Sequence, residues 1–267
     1  MDLTERQSLI LAQLKESGRV LVDDLALRFE VTTQTVRRDL NGLCDRGLAA
    51  RIHGGARITN SIANVDYEDR RRLAGPAKEA IGALAASLIP DNCSVMINIG
   101  TTTEQVARGL FAHTGLVVIS NNINVINTLV GSQAKELILA GGVVRPSDGA
   151  IVGDAAVEFI SRYKADYAII GASALDQDGA VIDFDAREVS VARAILRNAR
   201  TRILVADALK FERSAPMRIC DIGEIDMFVT DAPPPPAFMD VAAAGEVEVL
   251  VADTVEATAQ EMAHGLA

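Results

Sequence analysis

The stretch Val31-Thr-Thr-Gln-Thr-Val-Arg-Arg-Asp-Leu-Asn41, followed by Arg51-Ile-His-Gly-Gly-Ala56, decides the fold at the front of this 267-residue chain. Set out at about 100° per residue from Thr33, Val36, Leu40 and Leu43 fall in one narrow apolar stripe. Thr33, Gln34, Arg37, Arg38 and Asn41 fill the adjoining arc, so one face packs and the next stays polar. Upstream, Val22-Asp-Asp-Leu-Ala-Leu-Arg-Phe29 forms a shorter helix with Leu25 and Phe29 inward, and Glu30-Val31 leaves room only for a tight turn. Leu3 to Ser17 carries Ile10, Leu11 and Leu14 on one side and stops at Gly18, which supplies a third helix. Gly47 to Gly55 reads as a short hairpin behind them.

This is helix-turn-helix spacing with a wing. Polar groups at the start of the second helix of such a pair enter the major groove, where Gln pairs with adenine and Arg with guanine through two hydrogen bonds. Each good pair of this kind discriminates by about 1–3 kcal/mol. Arg51 and His53 of the hairpin are placed to approach a phosphate or the minor groove. Two arginines on a helix are by themselves an ordinary solvated face; the helix spacing, the polar arc and the wing together select a DNA reader.

The net charge of −10 is unusual for a DNA binder, and its distribution explains it. Residues 1–58 hold nine Lys/Arg and eight Asp/Glu, a balance of +1, so the remainder carries −11. An acidic remainder turns the front of the chain toward the duplex and excludes sequence-blind coating of nucleic acid. Cys44, Cys93 and Cys220 are odd in number, widely spaced and free of any CxxC, so neither a disulfide framework nor a zinc site is expected, only buried reduced thiols. No cofactor or metal is expected. The start Met-Asp-Leu-Thr-Glu-Arg-Gln lacks a signal pattern, and no apolar run approaches the about 20 residues that span a bilayer, so the expectation is a cytoplasmic protein without membrane contact.

The polar stretch 58–76, with Arg70-Arg71-Arg72 and ending at Gly75-Pro76, reads as a linker between a head at 1–57 and a larger domain at 77–267. In the latter, alanine-rich helical stretches alternate with β-rich runs at Cys93 to Ile99, Leu116 to Ser120, Lys135 to Ala140, Tyr167 to Ile170, Thr201 to Ala206 and Met227 to Thr230. Such alternation predicts an α/β domain with a largely parallel sheet, whose ligands sit at the carboxyl ends of the strands. Polar clusters fall at those ends. Gly100-Thr101-Thr102-Thr103-Glu104 follows one strand and opens a helix: glycine admits close backbone approach, hydroxyls donate, and a helix start suits an anion such as phosphate. Ser120-Asn121-Asn122 and Ala140-Gly141-Gly142 follow the next two. Asp183, Asp185 and Glu188 gather carboxylates that accept from polyol hydroxyls, and Lys210 offers a cation. The mixture fits a small phosphorylated polyol.

Thr-Val-Arg-Arg-Asp-Leu-Asn followed by Arg-Ile-His-Gly-Gly-Ala resembles the signature of DeoR-type bacterial repressors. Further stretches are similar to the branch of that family concerned with glycerol 3-phosphate: Ile-Gly-Thr-Thr (99–102), Asn-Asn-Ile-Asn-Val (121–125), Ala-Gly-Gly (140–142), Asp-Gly-Ala-Ile-Val-Gly (148–153), Asp-Phe-Asp-Ala-Arg-Glu-Val (183–189) and Thr-Asp-Ala-Pro-Pro-Pro (230–235). The similarity runs to about Leu250, and 252–267 extends beyond it. The resemblance implies a winged helix-turn-helix, a sensor domain similar in fold to ribose-5-phosphate isomerase, and release from operator DNA by glycerol 3-phosphate. It places the phosphate at Gly100 to Thr102, with Asn121, Asn122 and Lys210 near it, and the hydroxyls toward Asp183, Asp185 and Glu188. Two half-sites read together imply a homodimer or homotetramer. A repressor answering another sugar phosphate, a sugar-phosphate isomerase using Asp183, Glu188 and Lys210, and an architectural DNA binder with a vestigial sensor are the competing readings. The complete reading head argues against the isomerase.

Overall fold

The computed structural model describes residues 3–17, 19–52, 54–58 and 67–253. The chain divides into two compact units, Met1–Ala74 and Gly75–Ala267.

The first unit is built from α1 (Glu5–Ser17), β1 (Arg19–Leu21), α2 (Val22–Arg28), α3 (Thr33–Asp45), β2 (Ala49–Ile52) and β3 (Gly55–Ile58). Ile10, Leu14, Leu25, Val36 and Leu43 are wholly buried and form its centre, each contributing about 1.5–3 kcal/mol of transfer free energy. Phe29 is only partly buried and follows α2 as its C-terminal cap. Thr32 starts α3 by accepting from the Thr35 amide at 3.2 Å. The wing has a third strand absent from the sequence reading, β1, which pairs with the hairpin so that β3 lies between β2 and β1, antiparallel to both.

Gly55 is where that sheet closes. A Cβ there would fall 2.0 Å from the Val20 carbonyl oxygen, so only glycine lets β3 lie against β1. Gly55→Ala is therefore expected to destabilise this unit by about 1–3 kcal/mol as the wing shifts outward. Thermal unfolding checks this; an unchanged midpoint would remove the argument. The stretch expected as a linker contains α4 (Tyr67–Arg72), which falls within the first unit, and Arg70 lies 6.0 Å from the Tyr67 ring centroid. Arg71 and Arg72 are exposed.

The second unit opens with α5 (Gly75–Ser87), β4 (Ser94–Ile97), α6 (Thr101–Gly109), β5 (Val117–Ser120), α7 (Ile123–Leu129) and β6 (Glu136–Leu139). A short hairpin, β7 (Val144–Arg145) and β8 (Ala150–Ile151), leads to α8 (Asp154–Ile160) and β9 (Ala165–Ile170). Next come β10 (Ala174–Leu175), β11 (Ala180–Asp183), α9 (Ala186–Arg197), β12 (Ala199–Val205), β13 (Met217–Asp221), β14 (Met227–Thr230), α10 (Pro236–Ala244) and β15 (Glu248–Val251). Seven strands form one sheet in the order β15-β14-β12-β9-β4-β5-β6, every neighbouring pair parallel. Six of them correspond to the six β-rich runs; β15 is the addition. A separate antiparallel sheet, β10-β11-β13, was not legible in the sequence.

From β4 the chain runs outward to β6, returns past its starting point to β9, and continues outward on the other side. Crossovers of constant hand then put helices on opposite faces. Val95 and Ile97 of β4 pack with α5, α6 and α7, while Met96 packs with α8, α9 and α10. The reversal between β4 and β9 opens a crevice at their carboxyl ends, the general ligand position of doubly wound sheets.

Candidate nucleic-acid interface and effector site

In the first unit Gln34, Arg37, Arg38 and Arg51 are exposed and Thr33 and Asn41 half-buried. All but Arg51, which lies on β2, share the side of α3 left free by Val36, Leu40 and Leu43. Arg51 donates to the Asn41 side-chain oxygen, tying the recognition helix to the wing. His53 lies outside the described residues. The sequence reading passed over Asp39, which is buried and accepts from Arg6 Nε at 2.5 Å, fastening α3 to α1. The hydrogen bond that Arg6 donates to Asp39 is the main reason its guanidinium holds its proton above its usual range.

In the second unit Gly100 caps α6 with φ 140°, a conformation that favours glycine, and its carbonyl accepts the Glu104 amide at 3.0 Å. Thr101, Thr102 and Thr103 are buried in the first turn. Thr103 turns its hydroxyl back to the Asn98 and Gly100 carbonyls, both at 2.8 Å, which fixes the strand-to-helix corner. Gly171 bounds the other side: a Cβ there would stand 3.6 Å from Thr103 Cγ2. The Gly100–Thr102 segment thus sits at the reversal between β4 and β9, where a helix start faces the crevice and suits an anion.

Asn121 and Asn122 follow the adjacent strand. Asn122 caps α7 by accepting the Asn124 amide at 2.8 Å and donates Nδ2 to Glu104 Oε1 at 3.1 Å. Asn121 donates Nδ2 to the Ile151 carbonyl at 2.9 Å, binding β8 over the end of β5, while its Oδ1 is buried without a partner. Gly141 and Gly142 end the edge strand β6, two strands from β4, and both are exposed. Gly142 serves the hairpin: a Cβ on it would come within 2.9 Å of Ile151 Cγ2.

The three carboxylates separate in role. Asp183 is buried and accepts the Ser173 hydroxyl at 3.0 Å and the Phe184 amide at 2.6 Å. Asp185 caps α9 through the Arg187 amide at 2.9 Å. Asp185 and Glu188 are both engaged by Arg145 of the hairpin, which also grips Asp148 through two hydrogen bonds, so they do not stand open to hydroxyls as the sequence reading expected. Arg187 first, then burial acting the other way, and Arg145 leave the Asp185 carboxyl below the usual range. Lys210 is buried in the 3-10 turn Ala208–Glu212, its amide bonded to the Asp207 carbonyl at 3.0 Å. Asp207 itself is buried with an unpartnered Oδ1, and the sequence reading missed it, as it missed Asn98 and Arg145.

Of the cysteines only Cys220 is buried, its thiol pushed up to about 12 chiefly by desolvation; Cys44 and Cys93 are partly exposed, a correction to the expectation of three buried thiols. No helix among the described residues is long and apolar enough to cross a membrane.

Family models match both units: a DeoR-like helix-turn-helix domain at residues 6–62 and a DeoR C terminal sensor domain at 74–232. The chain is 41% identical to the glycerol-3-phosphate regulon repressor of Escherichia coli K12, covering 90% of this chain and 96% of that one. It is 39% identical to the repressor of the same name from Haemophilus influenzae, covering 85% and 89%. The HTH-type transcriptional repressor CsqR of E. coli K12 is 35% identical over 94% and 98%. Among solved structures, ribose 5-phosphate isomerase A from Methanocaldococcus jannaschii is similar at 14% identity, with a TM-score of 0.39 over 52% of this chain and 55% of that one. With a helix-turn-helix and wing matched over residues 6–62 and a doubly wound sensor unit matched over 74–232, the chain belongs to the DeoR family of helix-turn-helix transcriptional repressors.

Proposed function

We propose that this repressor controls genes of glycerol 3-phosphate metabolism and leaves its operator when glycerol 3-phosphate binds the second unit. The observation that carries the reading is the Gly100–Thr102 corner: three consecutive small or hydroxylated residues, the threonines buried, opening α6 at the sheet's reversal point. Similarity to repressors named for the glycerol-3-phosphate regulon supports the choice of effector. In this reading the phosphate rests on the first turn of α6 with Asn122 and Lys210 near it, and Asn121 lies alongside with its Nδ2 engaged by Ile151. Asp183 bounds the polyol end, with Asp185 and Glu188 acting through Arg145. Thr33, Gln34, Arg37, Arg38, Asn41, Arg51 and His53 meet the DNA, two copies of the chain reading two half-sites. The head spans 1–57, with the effector unit beginning near residue 77 in the cytoplasm.

Binding of a labelled palindromic operator fragment, titrated with glycerol 3-phosphate, tests this. A coupling of about 1–3 kcal/mol should weaken operator binding about 5- to 150-fold. Release by a different sugar phosphate and not by this one would reject the effector and keep the repressor. Turnover of a sugar phosphate by residues 75–267 would instead revive the isomerase reading.

A further inference from the structure

The phosphate seat leaves unexplained two buried oxygens on neighbouring strands. Ile97 pairs with Ser120 in the β4–β5 ladder, so Asn98 and Asn121 come next in register, about 4.8 Å apart across the sheet. Asn98 continues the strand, its amide donating to the Ile169 carbonyl at 2.9 Å. Side chains alternate along a strand, and Met96 and Ile119 face α8 and α9; Asn98 and Asn121 therefore share that face. The hairpin lies on the same side, since Asn121 exchanges two hydrogen bonds with Ile151, through its side-chain amide and its carbonyl. That donation to a carbonyl fixes which way the Asn121 amide points and leaves Oδ1 as the orphan. Asn98 is 4% exposed and Asn121 wholly buried, and Oδ1 of each lacks a partner.

Both orphans are acceptors. A phosphate, itself an acceptor, cannot satisfy them, but a hydroxyl can. The geometry points to Asn98 and Asn121 as a paired acceptor site for the hydroxyl donors of a polyol whose phosphate rests on α6, an inference that depends on the effector reading above. The site then has two halves of opposite sense, N–H and O–H donors at Gly100–Thr102 for the anion and the Asn98 and Asn121 oxygens at the ends of the two neighbouring strands for the hydroxyls. This division rejects a phosphorylated alkane of the same length, because its binding would leave both oxygens dry.

Calorimetric titration of the full chain with glycerol 3-phosphate, propyl phosphate and inorganic phosphate tests it, using wild type, Asn98→Leu and Asn98→Ala. Wild type is expected to prefer glycerol 3-phosphate over propyl phosphate by about 30-fold or more. Both variants should lose that preference while binding propyl phosphate and inorganic phosphate as before. The ligand-free Asn98→Leu protein should melt no lower than wild type, because an unpaired buried acceptor has been removed. A preserved preference in the variants overturns the proposal and leaves the effector reading standing; so does an equal loss for all three ligands accompanied by a lower melting midpoint. Failure of wild type to bind any of the three overturns both.

Discussion

Replacing Arg37 or Arg38 with alanine is expected to weaken operator binding about 5- to 150-fold per residue, the equivalent of one good bidentate base contact. Both side chains are exposed on α3, while Val36, Leu40 and Leu43 beneath them hold the core, so thermal stability should not move. The large effect follows from the charge distribution. With nine Lys/Arg against eight Asp/Glu in residues 1–58, this unit has little diffuse attraction for phosphate to fall back on, and the acidic remainder opposes it. Titrating each variant against operator and scrambled duplexes over a range of salt separates the roles. A base-reading arginine relaxes specificity at one position; a phosphate-binding one weakens all sequences and flattens the salt slope by about one. Unaltered affinity in both variants would mean that α3 is not the reading helix.

The exposed face of α3 was legible because local periodicity alone defines it: a 3.6-residue stripe at Val36, Leu40 and Leu43 fixes which residues face out. The parallel strands were legible for a related reason. Buried on both faces, they are short apolar runs such as Val117–Ser120 and Met227–Thr230. β15 escaped because it is an edge strand with Glu248 and Val251 exposed, which leaves only the Val247-Glu248-Val249 alternation as a signal. In the β10-β11-β13 sheet the β11–β13 pairing escaped because it is non-local, Asp183 meeting Met217 across 34 residues, and the local β10–β11 hairpin escaped because β10 is only the two residues Ala174–Leu175. The same limit applies to the site. The Gly100–Thr102 corner is contiguous and could be read, whereas the tie from Arg145 to Asp185 and Glu188 joins segments 40 or more residues apart. Carboxylates that look like ligand contacts in a line of sequence become, in space, the counter-ions of an arginine.

That tie carries the second large effect. Arg145→Ala should destabilise the second unit by about 3–5 kcal/mol, because it removes the guanidinium shared by three carboxylates that folding has largely taken out of water. Asp148 and Glu188 are 8% and 7% exposed, and Asp185 keeps its ion pair with Arg187, at 2.7 Å. For a unit of this size such a loss lowers the melting midpoint by roughly 6–20 °C. The pH dependence gives the sign. In the wild type the depressed Asp185 carboxyl contributes stability that is present above its unfolded pKa and is lost as pH falls through the lower folded value. In the variant the share of that stability owed to Arg145 is gone, so the gap between variant and wild type should be widest near pH 8 and narrow as pH approaches 4. Lysine at this position should restore little, since one ammonium cannot reproduce the fork that holds both Asp148 oxygens, at 2.8 and 2.6 Å, while reaching across to α9. Melting curves at pH 5 and pH 8 decide it: a gap that is constant with pH would mean Arg145 acts through packing alone, and no gap at pH 8 would mean the hairpin is held to α9 by something other than this ion network.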